Sequence, residues 1–339
     1  MGVDTGVAMP RIPLAPVDSV TITTLVENVY DVFMPDQGPA MRSGPAQTRG
    51  RMDASIMVDH FVPEQLVAEH GFSVLIDVVR GRRTHRVLFD LGVSPNGMVE
   101  NMRRLDIDPK DIEVVVCSHG HFDHTAGLEG LARHLGRVHL PVIIHPEFWN
   151  RRRLVLQGRD PLELPTTSRQ ALEGVGFTIV EAGQPSFLLD GSVLVTGEVP
   201  RVTDYEPGLP FQQAWRRDQW EPDPLVLDDQ AIVINVRDHG LVVITGCGHA
   251  GVVNITRYAR LLTGDSRICA IVGGFHLNGP VFEPLIQRVC ADLLEMQPAW
   301  VVPGHCTGWR AQHALARVFG DSYVPSCAGT RLQLGVAPG

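Results

Sequence analysis

The sequence predicts an α/β protein with its chemistry gathered at strand ends. Three observations predict this. Short apolar strands and amphipathic stretches of helical length alternate through most of the chain. Four strands run directly into glycine-rich turns that carry histidine, at 119–124, 249, 276 and 305, and layered α/β architectures gather functional groups at one end of their strands. Hydrophobic residues make up 44% of the 339, enough for a sizeable core. That length is long for one average domain and short for two.

Residues 1–18 read as a loose N-terminal extension, and 19–339 as one domain with insertions near 34–54, 146–175 and 200–224. Threonine and apolar residues at 20–26 make the first strand. The Gly-, Pro-, Arg- and Met-rich stretch 29–53 is a long irregular loop, read as a wall beside the site. Strands at 74–79 and 86–89 flank a short polar turn, as in an antiparallel hairpin. The second of them ends in Asp90-Leu91-Gly92. A helix at 95–105 and a turn at 108–111 lead to the β-forming run 112–116. A helix at 128–135 and a strand at 141–144 follow. Residues 146–175 look irregular, with Trp149 and the cluster Arg151-Arg152-Arg153. Short strands fill 177–180, 186–189 and 192–195. The stretch to about 224, with Phe211, Trp215 and Trp220, suits a lid, a substrate wall or a dimer contact. Strands 231–236 and 241–245 pair around a tight turn. The rest alternates helix 252–262, strand 268–272, helix 283–296, strand 300–302 and helix 310–319, then a tail with Leu332-Gln333-Leu334.

The most informative stretch is Ser118-His119-Gly120-His121-Phe122-Asp123-His124. His119 and His121 are two apart, so extended backbone can point both imidazoles one way. Asp123 and His124 project to a neighbouring point as the chain turns. Two such half-sites suit borderline ions such as zinc. The alternative is a polar turn that happens to hold histidines. With 14 histidines in 339 residues, three of them plus an acid at fixed spacing arise by chance about 0.003 times per chain, which favours the metal reading.

This stretch resembles the HxHxDH signature of the metallo-β-lactamase superfamily. The resemblance implies a four-layer αββα sandwich with a one- or two-metal site at one edge. The set SHGHFDHTAGL, TGEVPR, TGCGHAG, GGFHL and GHCTG is similar to one branch, the metal-dependent hydrolases related to 7,8-dihydropterin-6-methyl-4-(β-D-ribofuranosyl)-aminobenzene-5′-phosphate synthase. By that resemblance His119 and His121 match first-metal ligands, and Asp123, His124 and His305 second-metal ligands. Asp90 matches a carboxylate that supports the ligands, with a helix cap as its alternative. The sequence departs from the superfamily twice. No histidine lies between His145 and His239, so His249 supplies the missing ligand, or Asp228 or Asp229 does. The usual bridging aspartate is Cys247, a zinc-binding thiolate or a small buried residue. His276 falls outside the common set and is open to substrate binding, general-acid or metal roles.

The expected cofactor is zinc, two ions, with manganese or iron as alternatives. The expected function is hydrolysis of an ester, lactone or phosphoester by a metal-bound hydroxide, with Asp123 and His276 as catalytic residues. The alternatives are a pterin-phosphate synthase type of condensation, with Arg151, Arg152, Arg153 or Arg201 gripping phosphate, and a di-iron redox protein. A net charge of −9 without a basic run argues against a nucleic-acid partner. The chain shows neither a signal peptide nor a membrane span. Six cysteines without a CxxC pair read as reduced thiols of a cytoplasmic protein. The expected partners are a small-molecule substrate, anionic if the arginines face it, and a second copy through 200–224.

Overall fold

Alternating burial decides the layering. In strand Ser73–Arg80, Val74, Ile76 and Val78 pack into one apolar cluster while Leu75 faces the opposite way into another. Strand Gly240–Thr245 splits likewise, with Val242 and Ile244 in the first cluster and Leu241 and Val243 in a third. Each strand is therefore apolar on both faces, as a sheet covered on both sides requires.

The computed structural model describes residues 13–43, 50–136 and 139–336. Its two large sheets share the first cluster between them. The first has eight strands in the order Thr178–Glu181, Pro141–Ile144, Val114–Val116, Arg83–Phe89, Ser73–Arg80, Ser19–Val26, Arg331–Gly335 and Ala40–Met41. The second has six, in the order Ser186–Leu188, Val193–Val195, Ile232–Val236, Gly240–Thr245, Ile268–Gly274 and Trp300–Gly304. Helices Gly97–Arg104, Leu128–Leu135 and Arg169–Val175 lend Met98, Met102, Leu131 and Leu172 to the outer face of the first sheet. Helices Val252–Thr263, Ile286–Glu295 and Trp309–Phe319 lend Val253, Leu262, Leu293 and Leu315 to the outer face of the second. The layers run helix, sheet, sheet, helix, which is the αββα sandwich expected. Among the described residues no helix is long and apolar enough to cross a membrane, and all six cysteines are free and buried.

One contact holds the first helical layer close. A Cβ added at Gly130 would overlap the carbonyl oxygen of Pro95. Gly130→Ala should therefore destabilise by about 1–3 kcal/mol through overpacking, although alanine alone favours a helix by about 1 kcal/mol over glycine. Denaturant unfolding checks this, and an unchanged midpoint would refute the steric argument.

The structure departs from the sequence reading in three places. The tail is a strand: Arg331–Gly335 lies between Ser19–Val26 and Ala40–Met41, burying Leu332 and Leu334. No local turn announces a strand whose partner lies at the other end of the chain. The extension read as 1–18 is part of the fold from residue 14 onward. Leu14 is buried and Val17 donates to the carbonyl of Asn235 at 2.8 Å; residues 1–12 lie outside the described residues. Third, the irregular stretches 146–175 and 200–224 build one four-stranded outer sheet, ordered Leu162–Glu163, Arg152–Leu154, Gln212–Arg216 and Gln219–Pro222. The helix Arg169–Val175 also falls in the first stretch, capped by the Ser168 hydroxyl. In the insertion near 34–54, residues 44–49 lie outside the described residues, and Arg51–Asp53 pairs with Phe61–Pro63.

Candidate metal centre

Both sheets deliver side chains to one edge. The first sheet brings Asp90 from strand Arg83–Phe89, and His119, His121, Asp123 and His124 from the turn after Val114–Val116. The second brings Cys247, His249, His276 and His305 from the ends of its three parallel strands. Gly246 lets the two halves meet, because a Cβ there would strike the Ser118 hydroxyl and stand 2.7 Å from Asp90 Oδ2. Three of these residues hold left-handed backbone without being glycine: Asp90 at φ 56°, His276 at φ 43° and His305 at φ 47°. Such conformations cost of order 1–3 kcal/mol each and persist where the surroundings impose them, often at functional sites.

The donors fall into two neighbouring groups, bridged by a third that pairs Cys247 of one with His249 of the other. His119, His121 and His249 present ring nitrogens within 4.8 Å of one another. Asp123, His124, Cys247 and His305 form a second group on the same measure, and Cys247 also groups with His249 and His276. Asp228 and Asp229 belong to neither. Asp228 accepts from the Gly120 amide at 2.8 Å and from Arg152 at 2.6 Å. Asp229 accepts from the Ala250 amide at 2.7 Å, with its other oxygen 3.9 Å from His119 Nδ1.

Hydrogen bonds around the groups fix which nitrogens are free. Asp90 accepts from the Ser118 amide, the Ser118 hydroxyl and His124 Nδ1, each at 2.7 Å. It caps no helix. With its proton given to Asp90, the Ser118 hydroxyl can only accept from His119 Nδ1, 2.8 Å away. His119 Nε2 therefore carries a lone pair, and it faces His121 Nδ1 at 2.9 Å. His124 turns Nε2 toward Cys247 Sγ at 3.2 Å and Asp123 at 3.7 Å. His305 Nε2 lies 3.3 Å from Asp123 but off hydrogen-bond geometry, so both its ring nitrogens and both of His249 are buried without a partner.

These are conditions for a cation. A buried polar group left unpaired costs about 1–3 kcal/mol, and four such nitrogens stand on His249 and His305, each ring grouped with Cys247. Burial pushes His119 well below its ordinary value and His121 down to about 4, so both stay neutral and able to ligate. Burial lowers His124 too, but Asp90 and Asp123 outweigh it and lift it to about 9. The second group thus attracts positive charge. Asp123 is held below the usual carboxylate range: burial opposes this, and His124 and His305 overcome it. Donors of this kind could hold a metal ion.

Sequence reasoning missed the residues that hold the ligands. The Glu27 carboxylate accepts from the His305 amide at 2.7 Å, and the Asn28 side chain donates to the His305 carbonyl at 2.9 Å. Gln212, on the outer sheet, reaches His121 Nε2 at 2.6 Å. No signal in the sequence marks it, since Gln212 and Gln213 are both polar and only the strand's pleat turns Gln212 inward. His70 is exposed, with its ring centre 5.1 Å from that of His305. Of the candidate phosphate grips, Arg152 is buried between Asp228 and Asp223. Arg151 pairs with Glu163, Arg153 donates to Gln213, and Arg201 donates to the carbonyls of Val199 and Leu225. Beside His249 and His276, the insertion residues Glu206, Pro207 and Gly208 roof a space of about 20 Å³, room for one water. A larger cavity, about 640 Å³, lies away from every clustered histidine. Much of its charge pairs internally, Arg86 with Asp77 and Arg103 with Glu64.

Residues 67–305 match the model of the metallo-β-lactamase superfamily. The chain is 28% identical over 272 residues, 77% of itself and 89% of the relative, to 7,8-dihydropterin-6-methyl-4-(β-D-ribofuranosyl)-aminobenzene-5′-phosphate synthase of Methanocaldococcus jannaschii. It is 30% identical over 269 residues to an uncharacterized protein of the same organism, covering 78% of this chain and 93% of that one. Among solved structures it is similar to Tm1679, a metal-dependent hydrolase of the β-lactamase superfamily, with a TM-score of 0.67 and 24% identity over 94% of this chain and 100% of that chain.

Proposed function

Because the chain belongs to the metallo-β-lactamase superfamily, and the matched region spans every clustered donor from His119 to His305, we propose that it is a metal-dependent hydrolase of small ester-, lactone- or phosphoester-type molecules. The observation that carries this reading is the pair of buried donor groups, each with an orphaned histidine, that lie side by side, Cys247 of one also grouping with His249 of the other. His119, His121 and His249 would hold one ion, and Asp123, His124, Cys247 and His305 another. Such ions, when bound, lower the pKa of a water to about 7 and place positive charge where a carbonyl or phosphoryl oxygen gains negative charge.

The chain's own groups do the rest. Asp90 and Ser118 keep His124 and His119 in one orientation and one tautomer, so ligation requires no reorganisation. Asp123, with a side chain 15% exposed, is a carboxylate placed to take a proton from the attacking water. His276 stands beside His249, ring centres 4.4 Å apart, with a buried Nδ1 that has no partner. It is placed to donate a proton to a departing oxygen. Phe275 and Phe282 line the same space and limit water there.

The synthase among the relatives supports a condensation as the second reading. That reaction needs a phosphate grip, and Arg152, the buried one of the arginine cluster, is taken by Asp228 and Asp223; hydrolysis is preferred because it needs only the donor groups themselves. The test is metal content by mass spectrometry on protein purified without chelator, followed by turnover of 4-nitrophenyl esters, bis(4-nitrophenyl) phosphate and simple lactones in ¹⁸O-labelled water. About two equivalents of zinc, manganese or iron and one solvent oxygen in the product are expected. No metal, even after reconstitution, would overturn the reading, and a product without solvent oxygen would move it to condensation.

A further inference from the structure

The outer sheet built by the two insertions does more than cover the site. Its strand Gln212–Arg216 places Gln212, which is 1% exposed, against His121. The direction of that contact follows from its other neighbours. Asp223 lies between two guanidiniums, with one oxygen 3.3 Å from Arg152 Nε and the other 3.0 Å from Arg216 Nη2. Held so, its carboxylate can only accept. The Gln212 amide nitrogen donates to that carboxylate at 3.0 Å. The amide oxygen is therefore the atom that faces His121 Nε2 at 2.6 Å. An amide oxygen cannot donate, so His121 carries its proton on Nε2 and keeps a lone pair on Nδ1. That lone pair points at His119 Nε2, itself a lone pair by the separate path through Ser118 and Asp90. Two lone pairs 2.9 Å apart repel unless a cation lies between them.

We propose that Gln212 is the positioning residue of the first half-site: it accepts the Nε2 proton of His121 and holds the ring with Nδ1 turned toward His119 and His249. This rests on the metal reading above and deepens it, because it makes a residue of the insertion set the affinity of one half-site. A second tie runs beside it. Arg152 of the same sheet binds Asp228, which accepts from the amide of Gly120, the residue between His119 and His121. The loop bearing both ligands is thus fixed to the outer sheet at its backbone and at one ring.

Two measurements test this. The first is a long-range ¹H–¹⁵N spectrum of the histidine rings in metal-free protein, with His121 assigned from the His121→Ala variant. A proton on Nε2 of His121 is expected; a proton on Nδ1 would overturn the proposal whether or not any metal binds. The second is zinc affinity by competition with a chromophoric chelator, comparing wild type with Gln212→Leu. Gln213→Leu, on the same strand, serves as the control for disturbance of the hairpin. Gln212→Leu should weaken one of two zinc equivalents by about 10–100-fold, the usual effect of losing a partner that orients a ligand, and the control should weaken neither. Two wild-type affinities in Gln212→Leu would sink the proposal and leave the metal reading intact. Failure of the wild type to bind zinc would instead sink the metal reading. Should Gln212→Leu fail to fold, the ring spectrum of the wild type decides alone.

Discussion

His121→Ala should reduce turnover of the chromogenic esters on the order of 1,000-fold or more, while the metal-free fold survives. A Lewis-acidic ion is worth several kcal/mol of transition-state stabilisation, and each 1.36 kcal/mol is tenfold in rate. Removing one of the three first-group nitrogens takes away the ligand that faces His119 most closely, at 2.9 Å. The loss for the metal-free chain is small by comparison. His121 makes one hydrogen bond outside the group, to Gln212, and orphaning that buried oxygen costs about 1–3 kcal/mol. Against this stands relief of the opposed lone pairs on His119 and His121. Near-ultraviolet circular dichroism should be unchanged, metal content should fall toward one equivalent, and turnover should fall to background. Wild-type turnover in this variant would remove His121 from the site and break the hydrolase reading.

The fold and the candidate ligands were legible in the sequence with different completeness, for a physical reason in each case. Continuous apolar runs made the central strands legible, because a sheet covered on both faces buries nearly every residue of such a strand. Glycine-rich turns with histidine marked where those strands end. What escaped were pairings set by distant chain. Arg331–Gly335 pairs with Ser19–Val26, and Arg152–Leu154 pairs with Gln212–Arg216; neither has a hairpin turn to announce it. The supporting residues escaped for a related reason. Gln212, Glu27 and Arg152 are polar side chains that a single sequence assigns to surface, since burial of such groups depends on partners that only the folded chain brings near. The arginine cluster shows the limit most plainly. Arg151 and Arg153 flank Arg152 in sequence, yet Arg152 alone is buried, because alternation along the strand turns it inward.

That inward turn makes Arg152 a residue whose loss should damage the metal-free fold strongly. It is 2% exposed and holds two buried carboxylates, Asp228 at 2.6 Å and Asp223 at 3.3 Å. Breaking a buried pair by removing one partner typically costs 3–5 kcal/mol, because the other charge stays buried and uncompensated. Arg152→Met keeps the length of the side chain and removes the charge, so a destabilisation of about 3–5 kcal/mol is expected in denaturant unfolding at pH 7. The dependence on pH has a definite sign. Burial alone would raise Asp228, but Arg152 and the Gly120 amide hold it below its ordinary value. In the wild type the pair therefore stabilises above the unfolded carboxylate value, near 4, and is lost as pH falls through the lower folded value. In the variant burial acts with far less opposition, so ionised Asp228 opposes folding at neutral pH and its protonation relieves the strain in acid. The gap between the two proteins should be widest near pH 7 and narrow toward pH 4. Adding Asp228→Asn to Arg152→Met should recover much of the loss, since the asparagine oxygen can still accept from the Gly120 amide without a stranded charge. A cost under 1 kcal/mol for Arg152→Met, or no recovery in the double variant, would show that the outer sheet is held to the His119–His121 loop by packing rather than by this ion pair.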